Sequence, residues 1–340
     1  PDINCFTGPN GAGKTNVLDA LYYLAFTRGF RSSQDRQALQ QGAELFFDGA
    51  DWVKEGVSRK LACNFVKGKG KKVLLNQKAV EKMSDHIGQI PMVAILPQDT
   101  ELINGPAEGR RRFLDMLISQ YDHGYLQALI RYNRVLSQRN ALLRQFGAQG
   151  FVDGEQLDLW DMQMLPLLVQ LTEARVRFLE DFQPLFTTYF GRIVGEGEAP
   201  TLRHRSQVDE NSLEGWQALL TEKRLKDEVN LYTSVGIHRD DLVFQINSKS
   251  VRNFGSQGQQ KTFVISLKLA QYAYLAEQTG HAPILLLDDI FDKLDEHRLQ
   301  QIAGIVQTEL PGQIFITDTS EPRLRKVFAP FTEREVRFLR

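Results

Sequence analysis

Short, densely apolar runs divided by turn residues mark both ends of the chain, while helical periodicity marks its middle. Ile3–Thr7 reads as a short strand, and a glycine-rich turn then opens a helix from about Lys14 to Phe26. The polar, arginine-bearing stretch Thr27–Glu44 reads as loop. Between Phe46 and Pro97, "KLACNFV", "KKVLLN" and "IPMVAIL" are strand-like and separated by Gly, Lys and Asn turns, which predicts an antiparallel patch. From about residue 106 to 190 the pattern is helical. Leu129, Leu136 and Leu143 fall seven apart with Leu126 beside them, interrupted by Asn133 and Asn140. A break holding Gly147, Gly150 and Gly154 follows, and a second periodicity carries Trp160, Met164, Leu167, Leu171, Phe178 and Phe182. This predicts two core helices in an antiparallel hairpin, the second kinked at Pro166.

Beyond Tyr232, strands and helices alternate again. "DLVFQIN" reads as a strand, Gln257–Gln278 as a helix stopped by Gly280, and "PILLLDD" as a buried strand. Asp295 is placed to cap a helix running to about Gln307, and "GQIFITDT" is a last core strand. An α/β fold is expected, with one phosphate-loop lobe built from residues 1–105 and 231–340. A helical second lobe, residues 106–230, is inserted between its halves.

Composition changes this picture little. A chain of 340 residues suits about two domains. No apolar run reaches about 18 residues, so neither a membrane span nor a membrane partner is expected. Cys5 and Cys63 both lie in strand-like runs, without a CxxC, and fit a reducing, cytoplasmic compartment. The chain opens at Pro1 rather than Met, and a preceding segment is expected. Net charge is −1, so any nucleic-acid site has to come from local basic clusters.

The chemistry-bearing motif is "GPNGAGKT", which matches G-x-x-x-x-G-K-[ST] between a strand and a helix. Gly8, Pro9, Asn10, Gly11, Ala12 and Gly13 form a loop whose backbone N–H groups can surround phosphates. Lys14 supplies charge to the β- and γ-phosphates, and the Thr15 hydroxyl suits Mg²⁺. In "ILLLDD", Asp288 is placed to hold Mg²⁺ and Asp289 to accept a proton from, or orient, the attacking water. ATP and Mg²⁺ are the expected cofactors. An ordinary glycine turn, or a strand ending in solvated aspartates, accounts for either motif singly but poorly for both.

A second helix start, "NFGSQGQQKT", lies far from the first, with Ser256 standing 32 residues before Asp288. It resembles the Ser-x-Gly-Gln turn of the ATP-binding-cassette class, which faces the γ-phosphate held by a partner subunit. That resemblance implies that Ser256, Gly258 and Gln259 contact ATP in trans and that the chain forms an ATP-dependent homodimer. The plainer reading is a helix cap at Ser256.

Nearly the whole chain resembles the RecF family of bacterial DNA replication and repair proteins. The resemblance rests on "CFTGPNGAGKTNVLDALYYL", "GRRRFLD", "YNRVLSQRNALL", "HRDDL", "GSQGQQKTFVISLKLAQ" and "LLLDDIFDKLDEHR", in order. It implies an ATP-binding-cassette-type head with a helical lobe, and an ATP-dependent ATPase that binds double-stranded and gapped DNA. It further implies action with RecO and RecR to load RecA at single-strand gaps. By matching position, Gln98 in "LPQD" falls in a Mg²⁺- and water-sensing loop, and Asp292–Asp295 in a loop that communicates across the dimer. Where transporter-type members carry a histidine, this chain has Thr317 and Asp318, which suggests slow hydrolysis.

For DNA, the candidates are Arg110, Arg111 and Arg112, the "KGKGKK" run with Lys71 and Lys72, Arg28 and Arg31, and Arg323, Arg325 and Lys326. Each cluster reads equally as a solvated face, and Arg110–Arg112 equally as partners of acidic residues. No recognition-helix motif points to base readout. "GIHRDDL" at 236–242 suggests only a turn tied by Arg–Asp pairing, and no second histidine accompanies His238 at ligand spacing. A transporter ATPase calls for the missing histidine, a long-armed SMC protein for far more coiled coil, and a kinase or GTPase lacks "SQGQ". A non-enzymatic, ATP-gated DNA clamp stays open beside the ATPase.

Overall fold

A computed structural model describes residues 2–32, 34–54, 56–195, 197–291 and 294–339, with Lys54 described by its backbone alone. The chain divides into two compact units. One gathers Pro1–Asp99, Arg192–Val194 and Ile265–Arg340, the other Thr100–Gly191 and Gly195–Val264.

The first unit is an α/β assembly. Its parallel sheet contains β1 (Ile3–Thr7), β6 (Met92–Ile95), β10 (Ile284–Asp288), β11 (Ile314–Asp318) and β12 (Val336–Leu339), in the order β12-β1-β11-β10-β6. Leu285, Leu286 and Leu287 of β10 are fully buried, the near-continuous apolar pattern that a sheet covered on both faces selects. β2 (Leu45–Lys54), β3 (Val57–Val66), β4 (Gly70–Leu75) and β5 (Lys78–Ala79) make a separate antiparallel sheet. Helix α1 (Lys14–Phe26) packs against both, burying Leu18, Tyr22 and Phe26 and setting Tyr23 edge-on to Phe46 at 5.2 Å. "IPMVAIL" belongs to the parallel sheet as β6, not to the antiparallel patch expected from sequence. All four of its residues are buried, whereas β3 alternates, and that difference separates the two kinds of strand. α9 (Glu296–Thr308) and α10 (Glu321–Phe328) complete the unit.

The second unit holds α2 (Glu101–Asn104), α3 (Ala107–Ile118), α4 (His123–Gln149), nearly all of α5 (Gly154–Val194) and α6 (Leu213–Asn230). It also holds β7 (Pro200–Arg205), β8 (Asp241–Ile246) and β9 (Lys249–Ser250) in one antiparallel sheet, then α7 (Val251–Phe254) and the start of α8 (Gln257–Thr279). α4 and α5 form a hairpin whose tip is turned by Gly150 at φ 67° and whose distal core is Leu142, Leu143, Phe146, Leu157 and Trp160. One helix runs through both Pro166 and Pro184, so neither proline ends α5. The buried stripe of α4 is Tyr125, Ala128, Tyr132, Val135, Arg139, Leu142, Leu143 and Phe146; of the leucine heptad only Leu143 belongs to it, and Leu129 and Leu136 are half-buried. Along α5, Phe178, Phe182, Phe186 and Phe190 recur every four residues, and Phe263 of α8 packs on Phe186 at 4.9 Å.

The polar part of this core explains "GIHRDDL". Arg139, fully buried, donates to Asp161 at 2.6 Å, Asp227 at 2.8 Å and Thr233 at 2.9 Å. Arg175 donates to Asp115 at 2.8 Å and to Asp240 at 3.1 Å. His238 Nε2 donates to the Thr233 carbonyl at 3.0 Å, which fixes the neutral tautomer and leaves Nδ1 to accept from the Tyr132 hydroxyl at 2.6 Å. Among the described residues, no helix is long and apolar enough to cross a membrane.

Two outcomes follow from this core. Arg139→Ala takes the cation from the fully buried Asp227, which is left with Ser234, and one of two arginines from Asp161. It is expected to cost about 3–5 kcal/mol in denaturant unfolding, against near-zero if the pairs were solvated. Burial pushes the His238 imidazole down to about 4, below its ordinary value. The unfolded chain therefore takes up this proton first, and the histidine's share of stability is lost as pH falls from about 6.5 to 4. His238→Asn should lose less stability than wild type over that interval; equal slopes would remove His238 from the account.

Candidate functional site

The turn from β1 into α1 is built by conformation. Gly11 and Gly13 sit at φ 84° and 91°, where a Cβ would meet nothing within 4 Å, so the backbone angle and not space requires glycine. Gly13 is also the N-cap of α1 and supplies no side-chain cap, which leaves the helix start facing whatever the loop holds. Lys14 Nζ donates to the carbonyls of Gly8 at 2.7 Å and Pro9 at 2.9 Å, which centres its charge on the loop.

Thr15 and Asp288, far apart in the chain, meet here: Thr15 Oγ1 donates to Asp288 Oδ1 at 2.9 Å. The same oxygen accepts from Thr317 Oγ1 at 2.6 Å. Asp288 is 6% exposed at the end of β10. A hydroxyl and a carboxylate side by side form a hard-oxygen set, and with phosphate oxygens and water they fit Mg²⁺. Asp289 is the next residue, at φ 48°, a left-handed conformation unusual for aspartate. Its N–H is held by Thr317, at 3.1 Å from the carbonyl and 3.2 Å from Oγ1. Thr317 therefore organises both aspartates, which sequence reading missed because a hydroxyl in an apolar strand carries no signal of its own. Asp318 is fully buried and accepts from Arg323 at 2.8 Å, and Arg323 also lies 4.0 Å from Asp289. Gln98 is exposed in the turn after β6, the strand that pairs with β10. Asp295 caps α9 by accepting the Arg298 N–H at 2.9 Å, whereas Asp292 lies outside the described residues.

In the second unit, Ser256 does cap α8. Its Oγ accepts the Gln259 N–H at 3.2 Å, and Gln259 Oε1 accepts the Ser256 N–H at 2.9 Å, a reciprocal capping box. Gly258 lies in the first turn, its carbonyl accepting from Thr262 Oγ1 at 2.9 Å. Ser256 remains exposed.

The basic candidates separate on burial. Arg110 is 7% exposed and fully engaged, with Asp241 at 2.7 Å and the carbonyls of Leu102 and Gly105 at 3.0 and 3.1 Å. Its expected DNA contact gives way to this role in joining α3 to β8. Arg111 donates to the Asp240 carbonyl at 2.7 Å, and Arg112 is exposed. "KGKGKK" covers the β3–β4 turn and the first residues of β4. Lys71 pairs with Asp35 at 3.2 Å, while Lys72 points to solvent with Lys67 and Lys69. Arg31 donates to Asn16, Arg325 pairs with Glu321, and Lys326 with Glu296.

Residues 1–332 match the sequence profile of the RecF/RecN/SMC N terminal domain. The DNA replication and repair protein RecF of Flavobacterium johnsoniae is 44% identical over 96% of this chain and 90% of its own. The protein of the same name from Porphyromonas gingivalis is 41% identical over 98% and 90%. Among solved structures, the recombination mediator protein RecF of the RecFOR pathway, in its RecF-ATP form, superposes with a TM-score of 0.87 at 27% identity, covering 94% of this chain and 86% of that one. An SMC head bound to the C-terminal winged-helix domain of ScpA superposes at 0.54 with 12% identity, a likeness of fold alone.

Proposed function

Because the chain belongs to the RecF family, we propose that it is an SMC-type ATPase that couples ATP binding to dimerisation on DNA in replication and repair. The observation that carries this reading is the Thr15–Asp288 contact at 2.9 Å, which brings the phosphate loop and the acidic strand into one site. A cavity of about 630 Å³ opens beside the loop, between Gly8, Pro9, Ala12 and, beyond β11, Ser320, Pro322 and Arg325, with room for the rest of a nucleotide.

In this reading Lys14 and the N-terminus of α1 hold the β- and γ-phosphates. Thr15 and Asp288 hold Mg²⁺, which neutralises phosphate charge, and Gln98 lies within the sensing loop. Asp289 orients the attacking water and takes its proton, with its backbone fixed by Thr317. The exposed Ser256 turn, with Gly258 and Gln259, meets the γ-phosphate bound by a second copy. Losing that phosphate removes the differential affinity that held the two copies together, so hydrolysis opens the dimer. The exposed cations Arg112 and Lys72 supply salt-dependent contacts to a DNA backbone, with RecR, RecO and RecA as further partners and the cytoplasm as the place of action.

Sedimentation with Mg-ATP or Mg-ADP, with and without a gapped duplex, tests this. Wild type is expected to dimerise only with ATP and to carry DNA with it. Ser256→Arg should bind ATP yet stay monomeric; a dimer in that variant would return Ser256 to a simple cap. Asp289→Asn should lower turnover roughly 100-fold or more while prolonging the dimer. Unchanged phosphate release would take the base role from Asp289.

A further inference from the structure

We propose that Glu198 is a positioning residue for the Ser256 turn: its carboxylate orients the Gln259 amide, and through it the Ser256 hydroxyl, toward an incoming phosphate. This rests on the reading of that turn as a contact to ATP held by a second copy. The Gln259 side chain is bound at both ends. Its Nε2 donates to Glu198 Oε1 at 2.7 Å, while its Oε1 accepts the Ser256 N–H at 2.9 Å. An ionised carboxylate only accepts, so it selects the amide rotamer with NH₂ toward itself and carbonyl toward Ser256. The reversed rotamer sets oxygen against oxygen at Glu198 and N–H against NH₂ at Ser256.

With the amide fixed, the start of α8 is fixed as well, and the Gln259 N–H meets Ser256 Oγ at 3.2 Å. The Ser256 oxygen is then engaged as an acceptor, and its proton is the part left to give. Ser256 is exposed, so that proton is presented to solvent, where a phosphate oxygen arrives as a strong charge-assisted acceptor. Glu198 lies just before β7, 61 positions from Gln259, so no local motif marks it. Its second oxygen, Oε2, is buried without a partner among the described residues. Holding that oxygen buried and unpaired costs free energy, a cost the half-buried Glu198 carries while its other oxygen holds the Gln259 amide.

The test compares Glu198→Lys and Glu198→Gln with wild type, reading ATP-driven dimerisation by sedimentation and monomer affinity by binding of a fluorescent ATP analogue. Lysine replaces the acceptor with a donor and turns the amide round. Since a two-fold dimer uses the turn twice, its dissociation constant should rise roughly tenfold or more. Glutamine keeps a carbonyl acceptor, and its dimer should stay within about threefold of wild type. ATP affinity of the monomer should not change in either. Should Glu198→Lys fail to fold, Glu198→Ala carries the same comparison. Equal dimerisation of wild type and the lysine or alanine variant overturns the role of Glu198 and leaves the Ser256 reading standing. Equal loss in the glutamine variant overturns it too, because an acceptor alone must suffice. A wild type that ignores ATP overturns the reading of the turn, and this inference with it.

Discussion

One carboxylate oxygen sets the geometry of the first unit. Asp288 Oδ1 accepts from Thr15 of α1 and from Thr317 of β11, and it is nearly excluded from solvent. A desolvated charge has to be satisfied by groups held in place beforehand. That demand goes with the strand register: Thr7 of β1 pairs with Asp318, and Asp288 of β10 with Thr317, so three strands end within one residue of each other. Only then do the glycine turn after β1 and the Asp288–Asp289 step after β10 open at one edge of the sheet. The rule that ligands gather at the carboxyl ends of parallel strands has here a specific cause in side-chain hydrogen bonding.

The second unit uses charge differently. Arg110, Arg139 and Arg175 are all buried and each is joined to aspartate. Such pairs add little net stability over apolar packing, but they are exacting about geometry, since a misplaced partner leaves a bare charge. Arg110 and Arg175 tie α3 and α5 to the segment around Asp240 and Asp241, from which β8, β9 and α7 lead directly to Ser256, while Arg139 ties α4 to α5 and α6. The turn is thus carried on a frame held by directional bonds. A consequence is that arginine count misleads about nucleic acid, because Arg110, Arg139 and Arg175 scarcely reach solvent.

What was legible in the sequence follows from which interactions are local. The phosphate loop, α1 and the acidic strand are short contiguous patterns, and the structure places them as their spacing implies. The place of "IPMVAIL" was not legible, because four apolar residues in a row suit either sheet until the neighbouring strand is known. The leucine heptad misplaced the face of α4, since Tyr125, Tyr132 and Arg139 are buried through polar ends whose partners lie 10, 106 and 88 positions away. β12 escaped notice because its pattern "VRFL" is short and half-exposed, and it becomes a strand only through its pairing with β1. Arg110 shows the same limit at a candidate site: its neighbours in sequence suggest a basic patch, and Asp241 decides otherwise.

The two helix starts proposed to face anions are unequal, and the inequality suits the proposed switch. α1 begins at a glycine with no cap, on a loop with two left-handed glycines and a lysine ammonium at its centre. In the proposed assembly its N-terminal donors would gain most from a phosphate, so the chain's own nucleotide would take the larger share of binding free energy. α8 begins with a closed capping box, so part of its donor capacity is already spent internally. What it offers a second copy's phosphate is chiefly one oriented hydroxyl. In the proposed assembly that contact is a small differential term, and association responds only to the difference in affinity between the two nucleotide states. Had the second turn been uncapped and lysine-bearing like the first, it would hold diphosphate nearly as well as triphosphate, and hydrolysis would not release the pair.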